Sequence, residues 1–199
     1  MHMFKRIKEV LFAPDKFFLN LNKEKGVQDS LLFYVILLAF SVVMIYLFNI
    51  TLGELYTKKF YEIFNLNLQV QSYDALKLLP TTILGYFIAL VSSFLVAGII
   101  YVWLLIFGGK KDYAKTYQLW VYSETPSLLL SWIPLISFFA WLYSFILLIR
   151  GTKKIYEFSM LKSVLIYVIP LIVIITIYAL LLFFVAATFG NLNPLTRFS

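Results

Sequence analysis

Long stretches without charged side chains dominate the hydropathy pattern of this chain. Residues 78–109 and 163–196 contain no Asp, Glu, Lys or Arg. Each stretch exceeds the roughly 20 residues that cross a bilayer core at a rise of about 1.5 Å per residue. Two further apolar blocks, 31–50 and 125–149, are nearly as clear. The pattern predicts an all-α, polytopic bundle of transmembrane helices.

The apolar blocks divide into a predicted set of spans. We expect a cytoplasmic amphipathic segment at residues 1–29 and a transmembrane domain at residues 30–199. The predicted spans are at about residues 30–50, 81–107, 113–131, 135–150 and 163–188. The third is the weakest, because its apolar residues favour insertion by about −3 kcal/mol while Glu124 alone costs about +3 kcal/mol. This helix should need its neighbours, and a chain of four spans is the alternative.

Basic residues distinguish five spans from four. Five spans place 13 of the 17 Lys and Arg residues on one side of the membrane, whereas four spans place only 10 there. Because short cytoplasmic loops carry the excess of Lys and Arg, five spans are favoured. The N-terminus is then cytoplasmic and the C-terminus lies outside.

Segments with mixed polarity flank the first span. In the N-terminal region, apolar residues from Phe4 to Leu11 recur at helical spacing between lysines, and Pro14 opens a second short segment. We interpret them as two amphipathic helices in the membrane interface, the alternative being a loosely ordered tail. Residues 51–64 predict another surface helix, and residues 65–74 a polar loop.

Composition limits the chemistry. The chain has 199 residues, of which 62% are hydrophobic and 14% charged, with no cysteine and His2 as its one histidine. Disulfides, thiolate sites and a Ser–His–Asp set are therefore excluded. We predict no catalytic residue, cofactor or metal. The net charge of +7 suits anionic lipid headgroups better than nucleic acid. The expected partners are the bilayer, other membrane proteins or a second copy of the chain.

One group of polar residues interrupts the third predicted span. Ionisable side chains inside a span are costly and suggest a functional site, and proline can free a backbone carbonyl there. The alternative is that Glu124 lies near a membrane face, or is protonated and hydrogen-bonded locally. The candidate intramembrane polar site consists of Tyr122, Ser123, Glu124, Thr125 and Pro126.

Two further groups of residues have a simple structural interpretation. Small residues at intervals of four in the second span predict close helix packing, within the chain or in a dimer. This stripe consists of Gly85, Ala89, Ser93 and Ala97. Basic residues beside the loops predict a cytoplasmic patch that orients the chain, with a lipid or protein site as the alternative. The patch consists of Lys110, Lys111, Arg150, Lys153 and Lys154.

The order of several short motifs resembles the Yip1 domain family, in its compact prokaryotic or archaeal form. The motifs are a glycine-rich basic turn with a tyrosine at 109–113, the Tyr-Ser-x-x-Pro sequence at 122–126, Trp141, Arg150-Gly151, Ser159 with Lys162, and Pro14 ahead of Phe17-Phe18. The resemblance implies a five-helix bundle. In eukaryotic relatives it implies vesicle traffic, binding of Rab-type GTPases and membrane shaping.

Two departures limit what the resemblance implies. The 29 residues ahead of the first span are shorter than the cytosolic N-terminal region usual in eukaryotic members, and Glu124 stands where a small or apolar residue is usual, so no family role transfers to it. We expect a non-enzymatic protein of a prokaryotic or archaeal cell membrane that organises the bilayer or scaffolds other membrane proteins. The alternative is a small permease or channel-like subunit that uses the polar site at Glu124 and Pro126.

Overall fold

The computed structural model describes residues 3–66, 68 and 74–190, and the regular secondary structure of these residues is helical. The all-α prediction is confirmed. The helices, in chain order, are α1 (Met3–Phe12), α2 (Pro14–Leu21), α3 (Gln28–Phe48), α4 (Glu54–Ile63), α5 (Ala75–Ile106), α6 (Tyr113–Ser123), α7 (Thr125–Leu130), α8 (Pro134–Ile155) and α9 (Met160–Gly190).

Within the described residues, four helical stretches are long and apolar enough to cross a bilayer. They are Gln28–Ile63, Ala75–Ile106, Pro134–Ile155 and Met160–Val185. The prediction of several membrane-crossing helices is therefore confirmed. The remaining predicted span, 113–131, is divided at Glu124 into α6 and α7, which have 11 and 6 residues.

The first span extends further than its hydropathy indicates. A π-helical turn, Asn49–Gly53, joins α3 to α4, so one helix runs without interruption past residue 50. The side chains of Asn49 and Thr51 donate hydrogen bonds to the carbonyls of Ile45 and Leu47, at 2.8 and 2.6 Å, which lets the helix carry polar residues without breaking. The structure thus differs from the separate surface helix that we expected. Most of the predicted loop at 65–74 lies outside the described residues.

The second span begins six residues earlier than predicted. The Asp74 side chain accepts a hydrogen bond from the Leu76 amide at 2.9 Å, which caps α5 and takes Lys77 into its first turn. At the other end Gly108 has φ +79°, and its amide bonds to the Leu105 carbonyl at 2.9 Å. This left-handed residue ends α5.

The core of the first part of the chain surrounds α6. All but one of the eight residues from Thr116 to Ser123 are buried, and α6 packs against α3, α5 and α8. The short helix α7 continues between α3 and α8. The helix that is least apolar among the predicted spans therefore lies at the centre of the bundle.

The chain divides into two compact units, Met1–Phe158 and Ser159–Ser199. The described part of the second unit is α9, a long apolar helix with Pro170 inside it. The hydroxyl of Thr176 bonds to the Ile172 carbonyl four residues earlier at 2.8 Å, so this polar group is satisfied within the helix.

Candidate functional site

The two N-terminal helices form what we call the N-terminal hairpin, residues 3–21. Only Ala13 separates α1 from α2, and Pro14 occupies the first turn of α2, where its missing amide costs nothing. Within the hairpin, α1 contacts α2. The hairpin meets the rest of the bundle where α1 contacts α7 and where α2 packs on α8. The residues that bury the inner face of the hairpin are Val10, Pro14, Phe17, Phe18 and Leu21.

A glycine on α8 allows the hairpin to approach the bundle closely. A Cβ atom on Gly151 would meet the Leu119 side chain and would lie 3.0 Å from a ring carbon of Phe18. Phe18 and Leu119 are fully buried. Close approach of backbones at a small residue is how helices gain van der Waals contact in membrane proteins. Gly151 therefore allows α2, α6 and α8 to pack closely against one another.

Ionic and polar side chains join the two ends of the hairpin to α6. We call this group the hairpin junction, and it consists of Arg6, Glu24, Asp29, Lys115, Gln118 and Tyr122. The Arg6 guanidinium donates to the Tyr122 hydroxyl and to the Asp29 carboxylate, the latter at 2.9 Å. The Tyr122 hydroxyl in turn donates to the Glu24 carboxylate at 3.0 Å.

The remaining members of the hairpin junction hold the backbone that follows α2. The Lys115 ammonium donates to the carbonyl of Leu21 at 2.7 Å and to that of Glu24. The Gln118 amide donates to the carbonyl of Gly26. These carbonyls lie at and just beyond the end of α2, where a helix leaves acceptors unpaired. Two side chains of α6 therefore replace water around this turn.

The Arg6 ion pair with Glu24 is shielded from solvent. The Arg6 and Glu24 side chains are 11% and 16% exposed, with a closest N–O distance of 3.4 Å, whereas the Asp29 side chain is 64% exposed. Burial by itself lowers the pKa of the Arg6 guanidinium, but the neighbouring Tyr122, Glu24 and Asp29 raise that pKa above its ordinary value. Arg6 therefore remains charged.

The side chains of the candidate polar site at Tyr122–Pro126 have different partners. Tyr122 belongs to the hairpin junction. The hydroxyls of Ser123 and Thr125 bond to the carbonyls of Leu119 and Tyr122, each at 2.7 Å. Pro126 is buried, and Glu124 is half-buried and hydrogen-bonded to Ser127. The polar groups of Ser123, Glu124 and Thr125 are thus satisfied by nearby residues of α6 and α7.

The stripe of small residues on α5 has two different environments. Ser93 is buried and its hydroxyl lies 3.3 Å from that of Tyr117 on α6, and Ala97 is also buried. Ala89 is half-buried and Gly85 is exposed, with no atom within 4 Å of a Cβ placed there. Only the second half of the stripe packs against α6.

The predicted basic patch is divided among several contacts. Arg150 and Lys154 on α8 share Asp15 of the hairpin, at 3.3 and 3.8 Å. Lys111 lies 4.0 Å from Glu157. Lys110 is exposed and Lys153 is half-buried. Part of the patch therefore fastens the hairpin to α8.

Sequence reasoning missed five of the six members of the hairpin junction. Lys115 and Gln118 were visible as polar residues inside a predicted span, where such groups need partners. Nothing in the sequence pointed to Arg6, Glu24 or Asp29 as those partners. Within the described residues, no group of three His, Cys, Asp or Glu side chains is placed to hold a metal ion.

Apolar helices of membrane length and a helical core make this chain an integral, multi-pass membrane protein. The family model of the Yip1 domain matches residues 8–188, and the chain belongs to that family. The Yip1 family is not known as a family of enzymes. A comparison with curated proteins finds no match, and one with solved structures finds none either.

Proposed function

We propose that this chain is a non-enzymatic membrane protein that organises the bilayer or other membrane proteins through its N-terminal hairpin. One observation carries the proposal. The inner face of the hairpin is anchored to the bundle, while its outer face presents large apolar residues to the surroundings. Phe4 and Phe12 are 85% and 80% exposed, and Leu19 is also exposed.

The outer face of the hairpin has the chemistry of an interfacial segment. Exposed lysines accompany the exposed apolar residues: Lys5, Lys8 and Lys16 lie on the hairpin and Lys23 just after it. An amphipathic helix of this kind places its apolar residues at the boundary between headgroups and acyl chains and its lysines among anionic headgroups. Because the hairpin is tied to the bundle, its insertion would act on one leaflet beside the protein.

Reconstitution into vesicles of mixed anionic and zwitterionic lipid tests the proposal. We expect the protein to change vesicle diameter, and the double variant Phe4→Ser, Phe12→Ser to lose that effect. The matched control is Phe60→Ser, Phe64→Ser, which removes two exposed aromatic residues from the region of α4. A protein that neither reshapes vesicles nor retains any partner on mild purification from native membranes would contradict the proposal.

We also propose that α6 and α7 together form a fifth, broken crossing, with the N-terminus cytoplasmic and the C-terminus outside a prokaryotic or archaeal cell membrane. Residues 113–130 would extend about 27 Å at 1.5 Å per residue, close to the thickness of a bilayer core. The packing of α6 among α3, α5 and α8 supports this, because its polar side chains are kept from lipid.

The cysteine-free sequence provides a direct test of the crossing. Single variants Lys110→Cys and Lys153→Cys would be labelled with a membrane-impermeant maleimide in sealed vesicles of known orientation. Five spans place both positions on the same side as the N-terminus, and Lys59→Cys on the opposite side. Labelling of positions 110 and 153 from opposite sides would contradict five spans.

Transport, the other candidate function, has less support. The hydroxyls of Ser123 and Thr125 are engaged by carbonyls of α6 and are not directed at a shared ligand. Solute flux through reconstituted vesicles that disappears in Glu124→Ala would favour transport over the organising function.

A further inference from the structure

A groove separate from the hairpin junction lies at the tip of the N-terminal hairpin. We call it the tip groove. Its volume is about 440 Å³, and it runs between the tip, α7 and α8. The residues that line it include Leu11, Phe12, Leu130, Ile136, Phe139 and Tyr143.

The walls of the tip groove suit a hydrocarbon chain. Phe139 and Ile136 are exposed residues of α8, and α8 is one of the helices long and apolar enough to cross a bilayer. Exposed apolar side chains of such a helix face acyl chains in a membrane. The Tyr143 hydroxyl, the polar group of this wall, donates to the Leu11 carbonyl and is thereby satisfied. The groove therefore favours an apolar occupant.

A basic residue extends the α1 wall of the tip groove beyond its apolar part. On α1, the exposed Lys8 precedes Phe12 by four residues and so lies on the same helical face. On α8, Arg150 follows Tyr143 by about two turns on the same face, but it is already paired with Asp15 of the hairpin, so Lys8 is the basic residue of this region that can meet a headgroup. Positive charge beside an apolar groove is complementary to a lipid with an anionic headgroup.

We propose that the tip groove binds one acyl chain of an anionic phospholipid, with the phosphate of that lipid at Lys8. The inference goes beyond the proposed organising function, because it requires a bundle embedded in a membrane but no reshaping of the bilayer. The bound lipid would contact the hairpin tip, α7 and α8 together.

The test measures lipids that remain on the purified full-length protein. The protein in mild detergent is mixed with an anionic and a zwitterionic phospholipid of identical acyl chains, and native mass spectrometry counts each bound lipid. We expect one anionic lipid to be retained in preference to the zwitterionic one. Lys8→Gln should lower that retention about fivefold, since one basic residue contributes about 1 kcal/mol near an anionic lipid. Lys59→Gln on α4 is the control.

Two variants fill the groove without touching the hairpin junction. Ile136→Trp and Leu130→Trp place a large ring in the groove from two different helices, and both positions are partly exposed in the folded protein. We expect each variant to stay monodisperse and to lose the retained anionic lipid. Ile83→Trp, which fills another apolar groove between α3 and α5, should leave the retention unchanged.

Several results would overturn the lipid site. These are equal retention of the anionic and zwitterionic lipids, unchanged retention in monodisperse Ile136→Trp and Leu130→Trp, or equal losses in Lys8→Gln and Lys59→Gln. Vesicle diameter is measured separately. A variant that loses the bound lipid and still reshapes vesicles would support the site and leave the organising function standing.

Discussion

The helices α5 and α6 are neighbours in the bundle, but α5 is apolar and mostly exposed whereas α6 carries polar side chains and is mostly buried. Over its 32 residues α5 carries one charged side chain, Lys77, and most of its surface is exposed. In 11 residues α6 includes Lys115 and Gln118, and seven of the 11 are buried while none is exposed. In a membrane protein the apolar helix can face lipid, while the polar helix must be enclosed by protein.

The two helices are therefore stabilised differently, one by its own side chains and the other by its partners. A helix such as α5 is stable in a bilayer because of its own apolar side chains. The position of α6 depends on the hydrogen bonds of the hairpin junction and on packing against α3, α5 and α8. A substitution in the hairpin junction should therefore lower the stability of the fold more than a substitution of similar size at an exposed position.

The largest expected effect comes from Arg6→Met. Removing the guanidinium leaves the shielded Glu24 carboxylate without its ion-pair partner. Breaking a buried pair costs about 3–5 kcal/mol, and we expect about 3 kcal/mol because Asp29, the other partner, is mostly exposed. The measurement is the melting temperature of the protein in mild detergent. Lys58→Met on the exposed α4 is the control, and equal losses in the two variants would contradict the role of the hairpin junction.

A smaller effect is expected from Gly151→Val. The added side chain would meet Leu119 and the Phe18 ring where α2, α6 and α8 converge. Overpacking of this kind costs about 1–3 kcal/mol. The control is Gly85→Val on α5, where a Cβ meets no atom within 4 Å. Melting temperatures of the two variants should differ by several degrees, and a fall as large in Gly85→Val would count against the close packing.

Tyr122→Phe should have a more modest effect because it preserves the ring and removes only the hydroxyl. Arg6 and Glu24 each lose one hydrogen-bond partner in this variant. Leaving polar groups of this kind unpaired costs about 1–3 kcal/mol, and their other contacts favour the lower end of that range. The measurement is the melting temperature of Tyr122→Phe compared with that of Tyr178→Phe, which removes a hydroxyl at an exposed position. No difference between the two would show that the hydroxyl is dispensable.

The smallest effect is expected from Glu124→Gln. The half-buried carboxyl group is hydrogen-bonded to Ser127, and a glutamine carbonyl can accept the same bond. We expect the change in stability to remain within about 0.5 kcal/mol. The fraction of folded, monodisperse protein in detergent is the readout. Loss of that fraction would mean that the negative charge of Glu124 is part of the fold.

Predictions from the sequence were accurate where a helix is defined by its own residues. The spans at 81–107, 135–150 and 163–188 correspond to α5, α8 and α9, which extend a few residues further at one or both ends. Hydropathy marks the part of a helix inside the membrane and not the turns beyond it, so Asp74 and the residues after Arg150 were placed in loops.

The sequence was least informative about the partners of the candidate polar site. The five residues from Tyr122 to Pro126 are adjacent in the sequence, but successive side chains on a helix point in different directions. Tyr122 therefore meets Arg6 and Glu24, while Glu124 meets Ser127. The division of 113–131 at Glu124 was visible in the sequence as a charge followed by a proline.

The sequence by itself determined that this protein resides in a membrane, that it is helical and where its most apolar helices lie. These properties are sums over neighbouring residues, so no knowledge of distant contacts is needed. Only the tertiary structure decided that α6 is central and that Arg6 and Glu24 complete it from nearly 100 residues or more away in the chain. A polar side chain inside a predicted span indicates that a partner is needed, but the identity of the partner depends on which helices pack together.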